Sequence, residues 1–282
     1  MLGRRRRVLM AAGIGMLTAC GESASTGSVA GRSDATPAST PEPRELVLLV
    51  ASSLTDAFTE MGDDFPRQAG AAGVKLTFNF GASSLLRTQL EQGAPADVFV
   101  SADTIQMDQA VKAGLLDGTP QVFVRNRLVV VLPRENRAGV LTLADLAKPG
   151  LKVVTTPRDV PVGNYTRQAL EKMAADGQFG VGLDQRVLAN VVSEEANVRQ
   201  VVTKVQLGEA DAGVVYASDV TPRVAPEVRV IDIPDRFNTV AEYPIGVTKQ
   251  TKAPATARRF VEYVRGPAGQ AILKKHNFIP LA

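Results

Sequence analysis

Leu46-Val47-Leu48-Leu49-Val50 is an unbroken apolar run that passes directly into Ala51-Ser52-Ser53-Leu54-Thr55-Asp56. Such a run reads as a strand buried on both faces, as parallel strands are when helices cover both sides of their sheet. The period then changes, because Leu54, Ala57, Phe58, Met61 and Phe65 recur at helical spacing. A strand that hands over to a helix rather than to a hairpin is the opening of a βαβ unit with parallel strands. The same step recurs downstream. Val74, Leu76, Phe78 and Phe80 alternate with polar residues, and residues 81–84 lead into a helical stretch with Leu86, Gln89 and Leu90. A turn, Gly93-Ala94-Pro95-Ala96-Asp97, precedes a short strand, Val98-Phe99-Val100. Leu128-Val129-Val130-Val131-Leu132, stopped by Pro133, predicts another central strand, with Val153-Val154-Thr155 and Gly213-Val214-Val215-Tyr216 as its partners. Helices are expected to start near Thr142, Tyr165 and Val198. Residues 228–233 and 242–247 read as strands, and helices over 256–264 and 268–275 close the chain. No internal repeat of fixed period is present, and the sum fits two α/β lobes.

The N-terminal residues are of a different kind. Arg4-Arg5-Arg6-Arg7, an apolar run over residues 8–17 and then Thr18-Ala19-Cys20 have the grammar of a secretory signal. The run falls short of the roughly 20 apolar residues that a spanning helix needs. Leu17-Thr18-Ala19-Cys20 resembles the bacterial lipobox, and Cys20 is the only cysteine in the chain. The expected division is a lipoprotein signal peptide over 1–19, lipidation at Cys20 and a flexible tether over 20–44. The tether is rich in Gly, Ser, Ala, Thr and Pro and lacks the apolar surface to offset its ordering entropy. An extracytoplasmic protein held on the bacterial cell membrane follows. One cysteine excludes an internal disulfide. With Lys+Arg 32 against Asp+Glu 29 the net charge is only +3, and four of those arginines belong to the signal. No basic stripe points to nucleic acid.

Small or hydroxylated residues cluster where strands hand over to helices: Ala51-Ser52-Ser53, Gly81-Ala82-Ser83-Ser84, Pro161-Val162-Gly163-Asn164 and Ala196-Asn197-Val198. In open α/β sheets, ligands bind beyond the carboxyl ends of the strands. A helix start offers unpaired N–H groups and the positive end of the macrodipole, so several converging starts can hold a dianion without a charged side chain. Each serine taken alone fits an N-cap, and Ser53-x-x-Asp56 fits a variant capping box. The four together point to an anion site.

These residues, with Gly93-Ala94-Pro95-Ala96-Asp97 and Val98-Phe99-Val100-Ser101-Ala102-Asp103, Val160-Pro161-Val162-Gly163-Asn164-Tyr165, Gly213-Val214-Val215-Tyr216 and Glu242-Tyr243-Pro244, resemble the periplasmic molybdate-binding proteins of ABC importers over residues 45–282. The resemblance implies a type II periplasmic-binding fold, with two α/β lobes joined by two crossover strands. Lobe I would comprise 45–126 plus 240–282, and lobe II 127–239. It implies that Ser53 and Ser83 give hydroxyls and backbone N–H groups, Val162 and Val198 backbone N–H groups, and Tyr216 its phenolic O–H. Molybdenum would then be held only as molybdate, with tungstate as an alternative ligand, no cofactor, and the importer's transmembrane subunits as partners of a monomer. Three departures bear on fine specificity: Val162 where alanine is common, Gly81-Ala82 in place of a serine-rich stretch, and Asn197 where an acidic residue is common.

A donor-only site takes a fully ionised dianion, whereas phosphate near neutral pH keeps a proton that wants an acceptor. Sulfate or thiosulfate is the alternative ligand. A serine hydrolase is the rival from another class. It needs a base, yet the single histidine, His276, lies far along the chain and reads as a solvated cation at a helix end, and there is no Gly-x-Ser-x-Gly elbow. No metal-ligand spacing appears either. A sugar site would present aromatic faces, and the chain has no Trp. Arg87 and Arg199 sit just inside their helices and are expected to be solvated or in salt bridges between the lobes.

Overall fold

The computed structural model describes residues 45–68 and 70–281. The expected signal peptide, Cys20 and the expected tether lie outside the described residues. β1 (Glu45–Ala51) leads through a 3-10 turn, Ser52–Leu54, into α1 (Thr55–Asp64); β2 (Lys75–Gly81) leads into α2 (Ser83–Glu91) and β3 (Val98–Val100) into α3 (Thr104–Lys112). β4 (Leu116–Asn126) ends this stretch, and one residue later β5 (Leu128–Pro133) opens a second sheet. There follow β6 (Val153–Thr155), α4 (Pro161–Asp176), α5 (Leu183–Ala189), β7 (Val191–Glu194), α6 (Val198–Gln206), β8 (Ala212–Tyr216) and β9 (Val228–Asp232). The chain then returns to the first sheet as β10 (Ala241–Thr248), α7 (Pro254–Arg265), α8 (Pro267–Lys275) and β11 (Ile279–Pro280).

The first sheet has the order β11-β4-β10-β3-β1-β2 and the second β7-β6-β8-β5-β9. Two sheets with two crossings between them make the two-lobed α/β fold expected. The sheets are mixed rather than wholly parallel. β1 runs parallel to β2 and β3, and β6 parallel to β7 and β8, but β10 is antiparallel to β3 and β4, and β5 to β8 and β9. Parallel register has a direct consequence for function. Ala51 lies beside Gly81 and Val50 beside Val100, so the turns after β1, β2 and β3 emerge at one edge. The turns after β6 and β7 and the end of β8 emerge together from the other sheet in the same way.

The core beneath these edges is as apolar as the sequence requires. Leu46, Leu48, Leu49 and Val50 are wholly buried or nearly so, as are Leu128, Val129, Val130, Val131 and Leu132. Phe58 packs edge-on to Phe78, Phe123 and Phe260, which fixes α1 between the first sheet and α7. Gly213 lets α6 lie close on β8, since a Cβ there would come within 2.7 Å of the Val201 side chain. The predicted helix near Tyr165 in fact begins at Pro161, whose fixed φ suits the first turn of a helix. The helix near Thr142 is a 3-10 turn, Leu143–Ala147, with Thr142 and Asp145 forming a capping box.

Two buried asparagines hold the crossings. Asn126 accepts from the Arg127 N–H and donates to Ser218 Oγ at 2.8 Å. Asn238 clasps β5 from both sides, accepting from the Leu128 N–H at 3.0 Å and donating to the Leu128 and Ile233 carbonyls.

Candidate functional site

All five predicted site residues, Ser53, Ser83, Val162, Val198 and Tyr216, line one pocket between the lobes, together with Ala51, Ser52, Gly81, Ala82, Ala102, Val160 and Pro161. The cavity is small, about 10 Å³, and no charged side chain lines it. A larger groove of about 440 Å³ lies between Arg134, Arg137, Gln206 and Glu227, on the second lobe alone. It gathers no helix starts from the two sheets.

The serines are not caps. The turn Ser52–Leu54 and α1 both begin without a side-chain cap, so the Ser53-x-x-Asp56 capping box does not form. Ser53 Oγ instead lies 3.0 Å from the Tyr243 hydroxyl. Ser83 is the first residue of α2, one past its N-cap position Ala82, and its Oγ accepts from the Ala102 N–H at 2.9 Å. Both serines are buried. Their hydroxyls therefore belong to the pocket, with their own helix ends left open.

Across the cleft, α4 starts at Pro161 with no side-chain cap, which leaves the N–H of Val162 in the first turn without a capping acceptor. Gly163 makes this approach possible. A Cβ there would lie 2.2 Å from the Pro157 carbonyl oxygen and 2.4 Å from that of Thr156. α6 is capped by Asn197, whose side chain accepts from the N–H groups of Arg199 and Gln200, so that of Val198, one residue earlier, is not used by the cap. An uncapped start is no site by itself, because α7 and α8 also begin without a side-chain cap. Convergence of the starts in one neutral pocket is what distinguishes these.

Tyr216 closes the set. It is buried at the end of β8, and its hydroxyl has no hydrogen-bond partner among the described residues. Burial pushes its phenol well above the usual range, so at neutral pH the group is a proton donor. Its ring stands edge-on to that of Tyr243 at 5.8 Å. Tyr243 and Asn126 are the neighbours that residue patterning did not single out as site residues, although Tyr243 sits in the quoted Glu242-Tyr243-Pro244 motif.

Contacts between the lobes flank the pocket. Arg199, on α6, donates to the Ser52 carbonyl at 3.2 Å and to Asp56 at 2.6 Å on the first lobe, and lies 3.2 Å from Asp219 on its own lobe. On the other flank Gln106, at the start of α3, donates to the Asp159 carbonyl at 3.0 Å and accepts from Arg87 Nε at 2.8 Å. Arg199 is thus the salt bridge between lobes that the sequence led one to expect; Arg87 makes none among the described residues, pairing instead with Glu91 on its own helix while its Nε holds Gln106. Burial raises Asp219 to about 6, against the lowering pull of Arg199, and burial raises Asp103 to about 6 against the hydrogen bond from the Gln106 N–H.

His276 corrects its expectation. It does stand at the end of α8, but it is largely buried and lies 2.8 Å from Glu60, because α8 packs beside α1. It makes no contact with the serines. Among the described residues no cluster of His, Cys, Asp and Glu could hold a metal ion, and no helix is long and apolar enough to cross a membrane.

The chain resembles known bacterial binding proteins in sequence and in fold. The family model described as bacterial extracellular solute-binding protein matches residues 46–279. The molybdate-binding protein ModA of Mycobacterium tuberculosis is 42% identical over 262 residues, covering 93% of this chain and 92% of that protein. ModA of Escherichia coli is 32% identical over 241 residues, covering 83% and 88%. Among solved structures, the periplasmic molybdate-binding protein of Azotobacter vinelandii superposes with a TM-score of 0.71 at 21% identity, covering 84% of this chain and all of that one. The M. tuberculosis sulfate-binding protein SubI gives a TM-score of 0.77 at 18% identity, covering 84% and 87%. At those identities the two structures establish the shared fold alone. The chain, a solute-binding protein and not an enzyme, belongs to the bacterial extracellular solute-binding protein family and groups within it with the ModA proteins.

Proposed function

We propose that this protein captures molybdate between its lobes and delivers it to the transmembrane subunits of an ABC importer. The observation that carries the reading is the pocket's make-up: two buried serines, the first turns of helices from both lobes and an unpartnered tyrosine hydroxyl, with no charged side chain in the lining. Such a set spreads a dianion's charge over many neutral donors. Ser53 and Ser83 serve from the first lobe, and Val162, Val198 and Tyr216 from the second. The match to ModA proteins supports molybdate as the dianion. Tungstate, of nearly the same size and charge, binds in the same way. Phosphate is disfavoured by the proton it retains, and sulfate by its smaller radius, which leaves hydrogen bonds long.

Capture is a closure. The lobes, 45–126 plus 240–282 and 127–239, turn about Asn126-Arg127 and residues 238–243, and the anion bridges helix starts from both sides. The contacts of Arg199 and Gln106 belong to the closed form. The protein acts as a monomer, tethered outside the cytoplasm through lipid on Cys20. Cys20→Ser is expected to move the protein from the detergent-rich to the aqueous phase on partitioning, and an unchanged distribution would contradict the anchor.

Ser53→Ala, Ser83→Ala and Tyr216→Phe each remove one donor from a buried anion, and each is expected to weaken molybdate binding by about 1 to 3 kcal/mol in calorimetric titration. Undiminished affinity in all three would take this pocket out of the function.

A further inference from the structure

The Ser53 hydroxyl is tied to the interlobe crossing by a chain of hydrogen bonds whose direction can be worked out. Asn126 is wholly buried, and its side-chain oxygen accepts from the Arg127 N–H at 2.9 Å. Its amide nitrogen therefore faces the other way, donating to Ser218 Oγ at 2.8 Å and to the Tyr243 hydroxyl at 3.3 Å. An amide nitrogen only donates. Tyr243 thus receives at that contact, and its own proton goes to the acceptor on its other side, Ser53 Oγ at 3.0 Å. Ser53 accepts there and keeps its proton for the pocket. Ser83 reaches the same state by a shorter route, since the Ala102 N–H occupies a lone pair of its Oγ.

We infer that Asn126 and Tyr243 are positioning residues that bias the polarity of Ser53: the Tyr243 proton takes one of its two lone pairs, which leaves the serine's own proton free to turn toward the ligand and favours donation over acceptance. The inference rests on the oxyanion reading above and assigns part of its selectivity to two residues outside the pocket lining. A serine hydroxyl free to rotate serves as donor or acceptor, and a hydrogen phosphate would use the acceptor for its remaining proton. With one lone pair of each serine already occupied and its proton turned to the pocket, the acceptor capacity that this remaining proton needs is reduced. Tyr243 suits the role, because its burial keeps the phenol protonated well beyond neutral pH. Its ring packs edge-on to Tyr216 and to Phe278. Tyr243→Phe keeps that packing and deletes only the hydroxyl.

The test is calorimetric titration of molybdate, with and without excess inorganic phosphate near neutral pH, into the unaltered protein, Tyr243→Phe and Asn126→Asp. Phosphate is expected to leave the unaltered protein's apparent affinity unmoved. Tyr243→Phe is expected to weaken molybdate about five- to tenfold and to make binding sensitive to phosphate, since Ser53 regains its freedom. Asn126→Asp places an acceptor where the donor stood, which reverses the chain through Tyr243. Its sensitivity to phosphate is expected to be greater still. Loosened packing alone would weaken molybdate without admitting phosphate, so molybdate binding in Tyr243→Phe that stays indifferent to phosphate overturns the inference. Should Asn126→Asp fail to fold in thermal unfolding, Tyr243→Phe decides alone. Failure of the unaltered protein to bind molybdate overturns the site reading itself, an outcome distinct from tight binding that phosphate disturbs in neither variant.

Discussion

Gly163→Ala is expected to be the most damaging single methyl group that can be added near the pocket. The added carbon would lie 2.2 Å from the Pro157 carbonyl oxygen, 2.4 Å from that of Thr156 and 2.6 Å from Thr156 Oγ1. Two of those three neighbours are backbone, so no side-chain rotation relieves the contact. The residue's conformation is ordinary helix, and the need for glycine comes from the close approach of the first turn of α4 to the loop before it. Arg167 reinforces that approach, donating to the Thr156 carbonyl at 3.2 Å and to the Gly163 carbonyl at 2.8 Å. α4 must retreat or tilt, and the Val162 N–H, one residue earlier, retreats with it. Overpacking of this kind costs about 1 to 3 kcal/mol of stability. Misdirecting an N–H aimed at a buried anion is expected to cost a further 2 to 3 kcal/mol or so of molybdate binding, roughly 30- to 100-fold. Thermal unfolding and calorimetry read the two effects separately. Unchanged affinity in a chain whose Tm has fallen would mean that Val162 is not a donor.

Arg199→Met is expected to destabilise the protein in a pH-dependent way. Arg199 is the cation that lowers the pKa of Asp219, which is wholly buried and otherwise receives only the Tyr216 N–H, at 3.0 Å. Even with Arg199 present, Asp219 and Asp103 sit at about 6 in the folded protein, above the ordinary carboxylate value of 3.8. Between about pH 4 and 6 the folded state therefore binds more protons than the unfolded one, and stability declines as pH rises through that window and levels off above it. Removing the guanidinium raises Asp219 further, which extends the decline to higher pH. The variant is expected to lose about 2 to 4 kcal/mol at pH 8, the order found when one partner of a buried pair is removed, and clearly less at pH 5. Asp219→Asn in the same chain is expected to restore most of the loss, because the uncompensated carboxylate is gone while an oxygen remains for the Tyr216 N–H. Urea unfolding at the two pH values checks this. A loss of equal size at both would show that Arg199 contributes through packing or through Asp56 alone.

The apolar runs at 46–50 and 128–132 were legible because strands buried on both faces leave no polar alternation to misread. β4 was not, since after a single buried residue, Leu116, it runs through Asp117, Gly118, Thr119, Pro120 and Gln121, mostly exposed, before Phe123 and Val124 are buried. β7 has four half-buried or exposed residues and no apolar run. α3 and α5 likewise went unassigned, α5 being only seven residues long.

Ser53, Ser83, Val162 and Val198 could be found because a helix start after a strand end is a local pattern. Tyr216 came from the family resemblance, since a tyrosine ending an apolar strand looks the same whether its hydroxyl is used or not. Asn126, Tyr243 and the Arg199–Asp219 pair depend on which parts of the chain the crossings bring together, with partners 92 and 117 residues away in the case of Asn126, and no local spacing encodes that. His276 was misread for the same reason, since Glu60 is brought to it only by the packing of α8 beside α1.

The central claim is that neutral donors from both lobes hold a fully ionised tetrahedral dianion. It is tested most directly by calorimetric titration of the unaltered protein with molybdate, tungstate, sulfate and phosphate in turn. The expected result is tight binding of the first two at one site per chain, with weak or no heat from sulfate and phosphate. Preferential binding of phosphate would contradict the claim, because the proton that phosphate keeps needs an acceptor, whereas the claim has these groups acting as donors.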